Sequence, residues 1–100
     1  MLTSMIELEV PAVQGVLMTD DTMTVDLVDG RSISVPLAWS PRLIHATPEE
    51  RNAWRIIGQG HGLHWEALDE DISVENLLMG NGSGESQKSF QQWLASRGKT

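Results

Sequence analysis

The chain has 100 residues, 40% of them apolar and 21% charged, with no cysteine and a formal net charge of −7. Such a length supports one modest hydrophobic core, and the missing cysteines exclude disulfides and thiolate metal sites. The first 80 residues carry 13 acidic and 4 basic side chains, whereas the last 20 carry Glu85 against Lys88, Arg97 and Lys99. A body this acidic repels phosphate backbones, so direct nucleic-acid binding is not expected. A basic partner protein is the better match, because opposite fields steer association, and a homo-oligomer is the other partner considered.

The opening residues lack a basic segment followed by an apolar one, and no apolar run reaches the roughly 18 residues of a membrane span. The chain therefore reads as cytoplasmic and without membrane attachment. Ile6, Leu8 and Val10 alternate with Glu7 and Glu9 until Pro11 interrupts them, which predicts an extended arm.

Ala12–Thr19, Thr22–Val28 and Arg31–Leu37 are short runs rich in β-branched and apolar residues, separated by Asp20-Asp21 and Asp29-Gly30. They predict a three-stranded antiparallel meander. In its second hairpin, a two-residue Asp-Gly turn would set Val25 across from Ser34. A three-residue loop, Val28-Asp29-Gly30, instead pairs Val25 with Ile33 and Met23 with Val35, with Gly30 left-handed in a bulge. The first hairpin accepts either register. Pro36 donates no ladder hydrogen bond, so it belongs at an edge or strand end. Trp39-Ser40-Pro41-Arg42 then leads out of the sheet into a helical turn through His45.

Thr47-Pro48-Glu49-Glu50 predicts a helix start with Thr47 as N-cap and Glu50 completing a capping box. Ala53, Trp54 and Ile57, with Ile56 at the margin, suggest its apolar stripe, and Gly58 its end. Leu63–Trp65 reads as a short strand joining the meander. Asp69 to Ser73 supplies acids and caps for a helix over Val74–Met79 closed by Gly80. Asn81-Gly82-Ser83-Gly84 reads as a flexible linker, and Ser86 caps a final helix carrying Phe90, Trp93 and Leu94 at helical spacing. The division expected is a core of residues 1–80 with its N-terminal arm, then a linker and weakly packed helix over 81–100. The fold class is α+β: a small single domain with an antiparallel meander, a short added strand and two to three helices.

Chemistry is sought in Gly60–Gly80, which holds His61, His64 and five acids. A metal site using His61, His64 and Glu66 is the alternative reading, but residues three apart on a strand point to opposite faces. Gly58-x-Gly60-x-Gly62 lacks the lysine and the strand-to-helix context of a phosphate loop. No catalytic residue and no cofactor is assigned, and Asp69-Glu70-Asp71 reads as a solvated face. Phe90, Trp93 and Leu94 are the candidate partner-binding residues, together with Arg51 and Arg55, which share an exposed face of the expected helix.

The blocks Asp29-Gly30-Arg31, Val35-Pro36-Leu37-Ala38-Trp39 and Pro41-Arg42-Leu43 resemble the bacterial domain of unknown function 2442 family. Ala46 to Arg51, Ile72-Ser73-Val74-Glu75 and Gly84-Glu85-Ser86-Gln87 resemble one subgroup, so the likeness spans about residues 11–96. Asn76 stands where the family more often has glycine. The resemblance implies a small α+β domain with no established catalytic residues. Some relatives carry a helix-turn-helix unit, for which this chain has no room, and others are encoded beside a small protein in toxin–antitoxin-like arrangements. The functional expectation is a non-enzymatic, antitoxin-like or regulatory protein-binding module.

Overall fold

A computed structural model describes residues 10–97. The expected extended arm falls almost wholly outside them. The fold is α+β, built from two three-stranded antiparallel sheets with short helices packed around their junction.

The first sheet is the meander: β1 (Val13–Met18), β2 (Thr22–Leu27) and β3 (Ser32–Pro36). Its second hairpin has the bulged register, with Val25 opposite Ile33 and Met23 opposite Val35. The Leu27 amide donates to the Arg31 carbonyl at 2.8 Å, leaving the three-residue loop with Gly30 at φ 97°. Only a residue without Cβ takes that angle without strain. The first hairpin pairs Met18 with Met23 and Val16 with Val25, and a bulge between Val13 and Gly15 restores Val13 to Leu27. Met23, Val25 and Leu27 are all buried on the inner face. Pro36 ends β3 as its missing N–H requires.

Ser40 and Pro41 open α1 (Pro41–Ile44) after a single 3-10 turn over Leu37–Trp39. The capping box then forms as read, with the Thr47 hydroxyl accepting from the Glu50 amide at 3.1 Å and the Glu50 carboxylate accepting from the Thr47 amide at 2.9 Å. The helix it starts, α2 (Pro48–Arg51), lasts one turn. The expected continuation through Ala53 to Ile57 is corrected: Trp54–Ile57 is a strand, β4. One short apolar run fits either period, and a helix this short has little stability of its own. Trp54 and Ile56 instead alternate onto one face, opposite Trp65 and Leu63 of β5 (Gly62–Trp65). Gly58, Gln59 and Gly60 all have positive φ, so they make a hairpin rather than a helix end.

Leu63–Trp65 is the added strand, but it does not join the meander. It is the centre of the second sheet, paired with β4 on one side and β6 (Glu70–Ser73) on the other. The local hairpin partners on both sides claim its backbone groups. Residues 70–73 are therefore strand rather than only a capping segment, although Ser73 does cap α3 (Val74–Met79), its hydroxyl accepting from the Asn76 amide at 3.0 Å. Gly80, at φ 78°, closes that helix. The last helix is α4 (Gln87–Arg97), with the Ser86 hydroxyl accepting from the Ser89 amide at 3.1 Å.

The core lies between the sheets, with Leu63, Trp65, Leu68 and Val25 fully buried. Trp65 spends its one polar atom well, since its indole N–H donates to the Arg51 carbonyl at 2.9 Å. Trp65→Phe leaves that carbonyl without its donor and opens a small void. The expected loss is about 1–3 kcal/mol of unfolding free energy, measured by urea denaturation with an unchanged m-value.

Candidate functional site

The seam between β3, α1, β6 and α3 leaves a cleft of about 350 Å³. Its floor is apolar, formed by Met23, Val35, Leu37, Leu43 and Leu77, all of them buried. Polar groups enter from three directions. Ser40 comes from the turn ahead of α1, Glu70 from β6, and Asn81 to Glu85 from the segment between α3 and α4.

Glu70 reaches the cleft through strand alternation. Glu70 and Ile72 share a face with Trp65 and Leu63 across the ladder, so a carboxylate lies where an apolar side chain would ordinarily pack. The buried Ser40 hydroxyl donates to it. Burial pushes the Glu70 carboxyl above the ordinary glutamate range, and the Ser40 hydrogen bond only partly opposes this. The expectation that Asp69-Glu70-Asp71 forms one solvated face is thus corrected at Glu70.

Arg42 is the cation closest in kind to a partner for Glu70, but it is engaged elsewhere. Its Nε donates to both Glu85 oxygens at 3.0 Å and its Nη2 to Glu85 Oε2 at 2.5 Å. Its Nη1 donates to the Leu68 carbonyl at 2.7 Å and the Asp69 carbonyl at 3.3 Å. The two side chains of this forked pair are only 13% and 10% exposed, so the pair is screened less than a surface bridge. Glu85 also accepts from the Ser89 hydroxyl at 2.8 Å, fixing the start of α4. The Ser83 amide donates to the Trp39 carbonyl at 2.8 Å. A Cβ on Gly82 would stand 3.2 Å from that same oxygen, so the segment 81–85 lies close along one wall.

The candidate partner-binding residues have separate places. Phe90 meets His45 edge-on, with ring centroids 5.2 Å apart, and stacks on Trp93 at 5.9 Å. The Arg42 and Arg97 guanidiniums stand 5.2 and 4.7 Å from the Trp93 ring centre. Phe90, Trp93 and Leu94 are all partly buried. Arg97 also holds Glu50, its Nη2 donating at 2.8 Å. Arg51 turns inward, donating to the Leu43 and Ile44 carbonyls at 2.9 and 3.0 Å. Arg55 is exposed and meets Glu66 at 3.3 Å. The shared helical face expected for the two arginines does not exist, because β4 replaces that helix.

The histidines are apart as well. His61 lies in the exposed β4–β5 loop, while His64 lies on the outer face of β5. His64 Nδ1 is 2.5 Å from Asp71 Oδ1, and Nε2 is 3.4 Å from Glu66 Oε1. Asp71 faces His64 directly across the ladder, and Glu66 follows two residues along the chain on the same side. Among the described residues, no three histidine or carboxylate side chains are placed to hold a metal ion. No helix there is long and apolar enough to cross a membrane.

Two carboxylates tie α4 to the body. The Arg97 and Arg42 hydrogen bonds hold Glu50 and Glu85, respectively, below the ordinary glutamate range. A depressed folded-state value contributes stability that is complete above the unfolded value of about 4.3 and is lost as pH falls through the folded one. Acidification below about pH 4 is therefore expected to release α4 before the sheets melt. Amide exchange should show protection vanishing first at residues 87–97, with β2 and β5 protected at the same pH.

Three comparisons bear on identity. A crystal structure of a protein of unknown function from Rhodospirillum rubrum is similar at 30% identity, with a TM-score of 0.66 over 77% of this chain and 95% of that one. A solution NMR structure of an uncharacterized protein from Chromobacterium violaceum is similar at 25% identity, also with a TM-score of 0.66, over 94% of this chain and 83% of that one. No functionally curated protein matches. Residues 13–83 match the family described as Protein of unknown function (DUF2442), which spans both sheets and three of the four described helices. The chain belongs to that family.

Proposed function

We propose that this chain is a non-enzymatic protein-binding module, a regulatory or antitoxin-like partner of a small basic protein, and that it binds through the cleft. The observation that carries this reading is the composition of the cleft rim. Trp39 stands there 36% exposed, beside Asp69, Glu70, Asp71 and Glu85 with Arg42 as the accompanying cation. A part-exposed tryptophan beside an acidic rim suits a protein interface, since tryptophan is enriched among residues that dominate binding energy. The net charge of −7 favours a partner of opposite sign.

The polar groups that chemistry would need are occupied in holding the fold. In the cleft, Arg42 binds Glu85 and two carbonyls, and Ser40 donates to Glu70. This commitment supports a binding role over a catalytic one.

Copurification of the chain from its native host should yield a stoichiometric basic protein. Trp39→Ala should weaken that complex by about 2 kcal/mol while moving the melting temperature little, because the ring is already partly in solvent. Calorimetric titration of the purified pair measures the affinity, and thermal unfolding of the free chain measures the melting temperature. Affinity unchanged by Trp39→Ala, or a copurifying protein of acidic character, would remove the reading.

A further inference from the structure

The charges in the cleft do not balance, and the imbalance is local. Arg42 is claimed by Glu85, whose two oxygens take its Nε and Nη2, while its Nη1 turns to main-chain carbonyls. Glu70 is left with the neutral Ser40 hydroxyl as its side-chain donor. A half-buried carboxylate held by a neutral donor remains costly to ionise, in keeping with the upward displacement of its titration. Immediately beside it lies space of about 350 Å³, within the size range of built ligand pockets. The space is floored by Leu37, Leu43 and Leu77, so its occupant needs an apolar body as well as a positive head. An anion would meet the Glu70 carboxylate, with Glu85 on the adjoining wall, and a fully apolar group would leave Glu70 uncompensated. A guanidinium binds a carboxylate best as a two-pronged fork, but Ser40 already takes one Glu70 oxygen, so a compact ammonium on a flexible alkyl stem fits better.

We propose that the cleft receives a lysine side chain of the basic partner, with its ammonium at Glu70 and its alkyl stem on Leu37, Leu43 and Leu77. This assignment rests on the protein-binding reading and adds to it the site and the recognised group. Asn76 lies at the rim on an exposed part of α3, where a side chain can be changed without disturbing the core.

The test uses the full chain, 15N-labelled, titrated with a capped Gly-Lys-Gly peptide, its norleucine counterpart and n-butylamine. The lysine peptide should shift the amides of Ser40, Glu70, Asn76 and Asn81, and the norleucine peptide should not. Glu70→Gln, which preserves an acceptor for Ser40, should weaken the lysine peptide at least tenfold. Asn76→Lys, which brings a competing ammonium to the rim, should do the same. It decides the matter alone if Glu70→Gln does not fold. Shifts scattered over the acidic surface and insensitive to both changes would overturn the assignment. Butylamine entering the cleft while the peptide does not would also overturn it, and would mark a site for free amines. A copurified basic partner whose affinity ignores both substitutions would sink this inference while leaving the protein-binding reading intact.

Discussion

The hydrogen bond from the Trp65 indole to the Arg51 carbonyl is the joint on which the two halves of the fold meet. Trp65 lies fully buried at the end of the central strand of the second sheet. Arg51 closes the one-turn helix α2, and its guanidinium reaches back to the Leu43 and Ile44 carbonyls that end α1. One residue thus receives the second sheet through its main chain and holds the preceding helix through its side chain. Helices of four residues have no independent stability, so α1 and α2 depend on this tertiary anchoring. Leu43, the buried residue of α1, then forms part of the cleft floor.

Arg42, one residue earlier, does the comparable work on the other side. It spans the Leu68 and Asp69 carbonyls of the β5–β6 turn and the Glu85 carboxylate ahead of α4. Its engagement leaves Glu70 with Ser40, not a cation, as its side-chain hydrogen-bond donor. The family match ends at residue 83, so Glu85 and the whole of α4 lie beyond it. The segment that claims Arg42, and thereby helps set the charge of the cleft, lies just beyond the matched residues.

The sequence made the first sheet readable to the level of register, because Met23, Val25 and Leu27 could match the apolar set of β3 through only one loop length. The Thr47 capping box was equally legible, since its signal is local. The second sheet was not. Trp54, Ile56 and Ile57 fit a helical stripe and a strand, and what decides between them is pairing with Leu63 and Trp65 across the hairpin. With a helix there in place of β4, Glu70 has no complete second sheet to turn it inward. Beside Asp69 and Asp71 it then resembles solvated acid. The alternation of Glu70 with Ile72 was the available signal, but it gains meaning only when β6 is placed beside β5. Ser40 and the Arg42–Glu85 pair gave less warning still, because contacts between residues 30 and 43 positions apart leave no local period.

What remains is a small acidic body with a polar-rimmed cleft, whose internal charges are mostly spoken for and where Glu70 faces the opening. The central claim is that a partner protein covers this cleft. Hydrogen-exchange footprinting of the copurified complex against the free chain measures it directly. The account predicts added protection at residues 39–42, 70–73 and 81–85. Protection confined instead to the outer face of the first sheet, at β1 and β2, would contradict it.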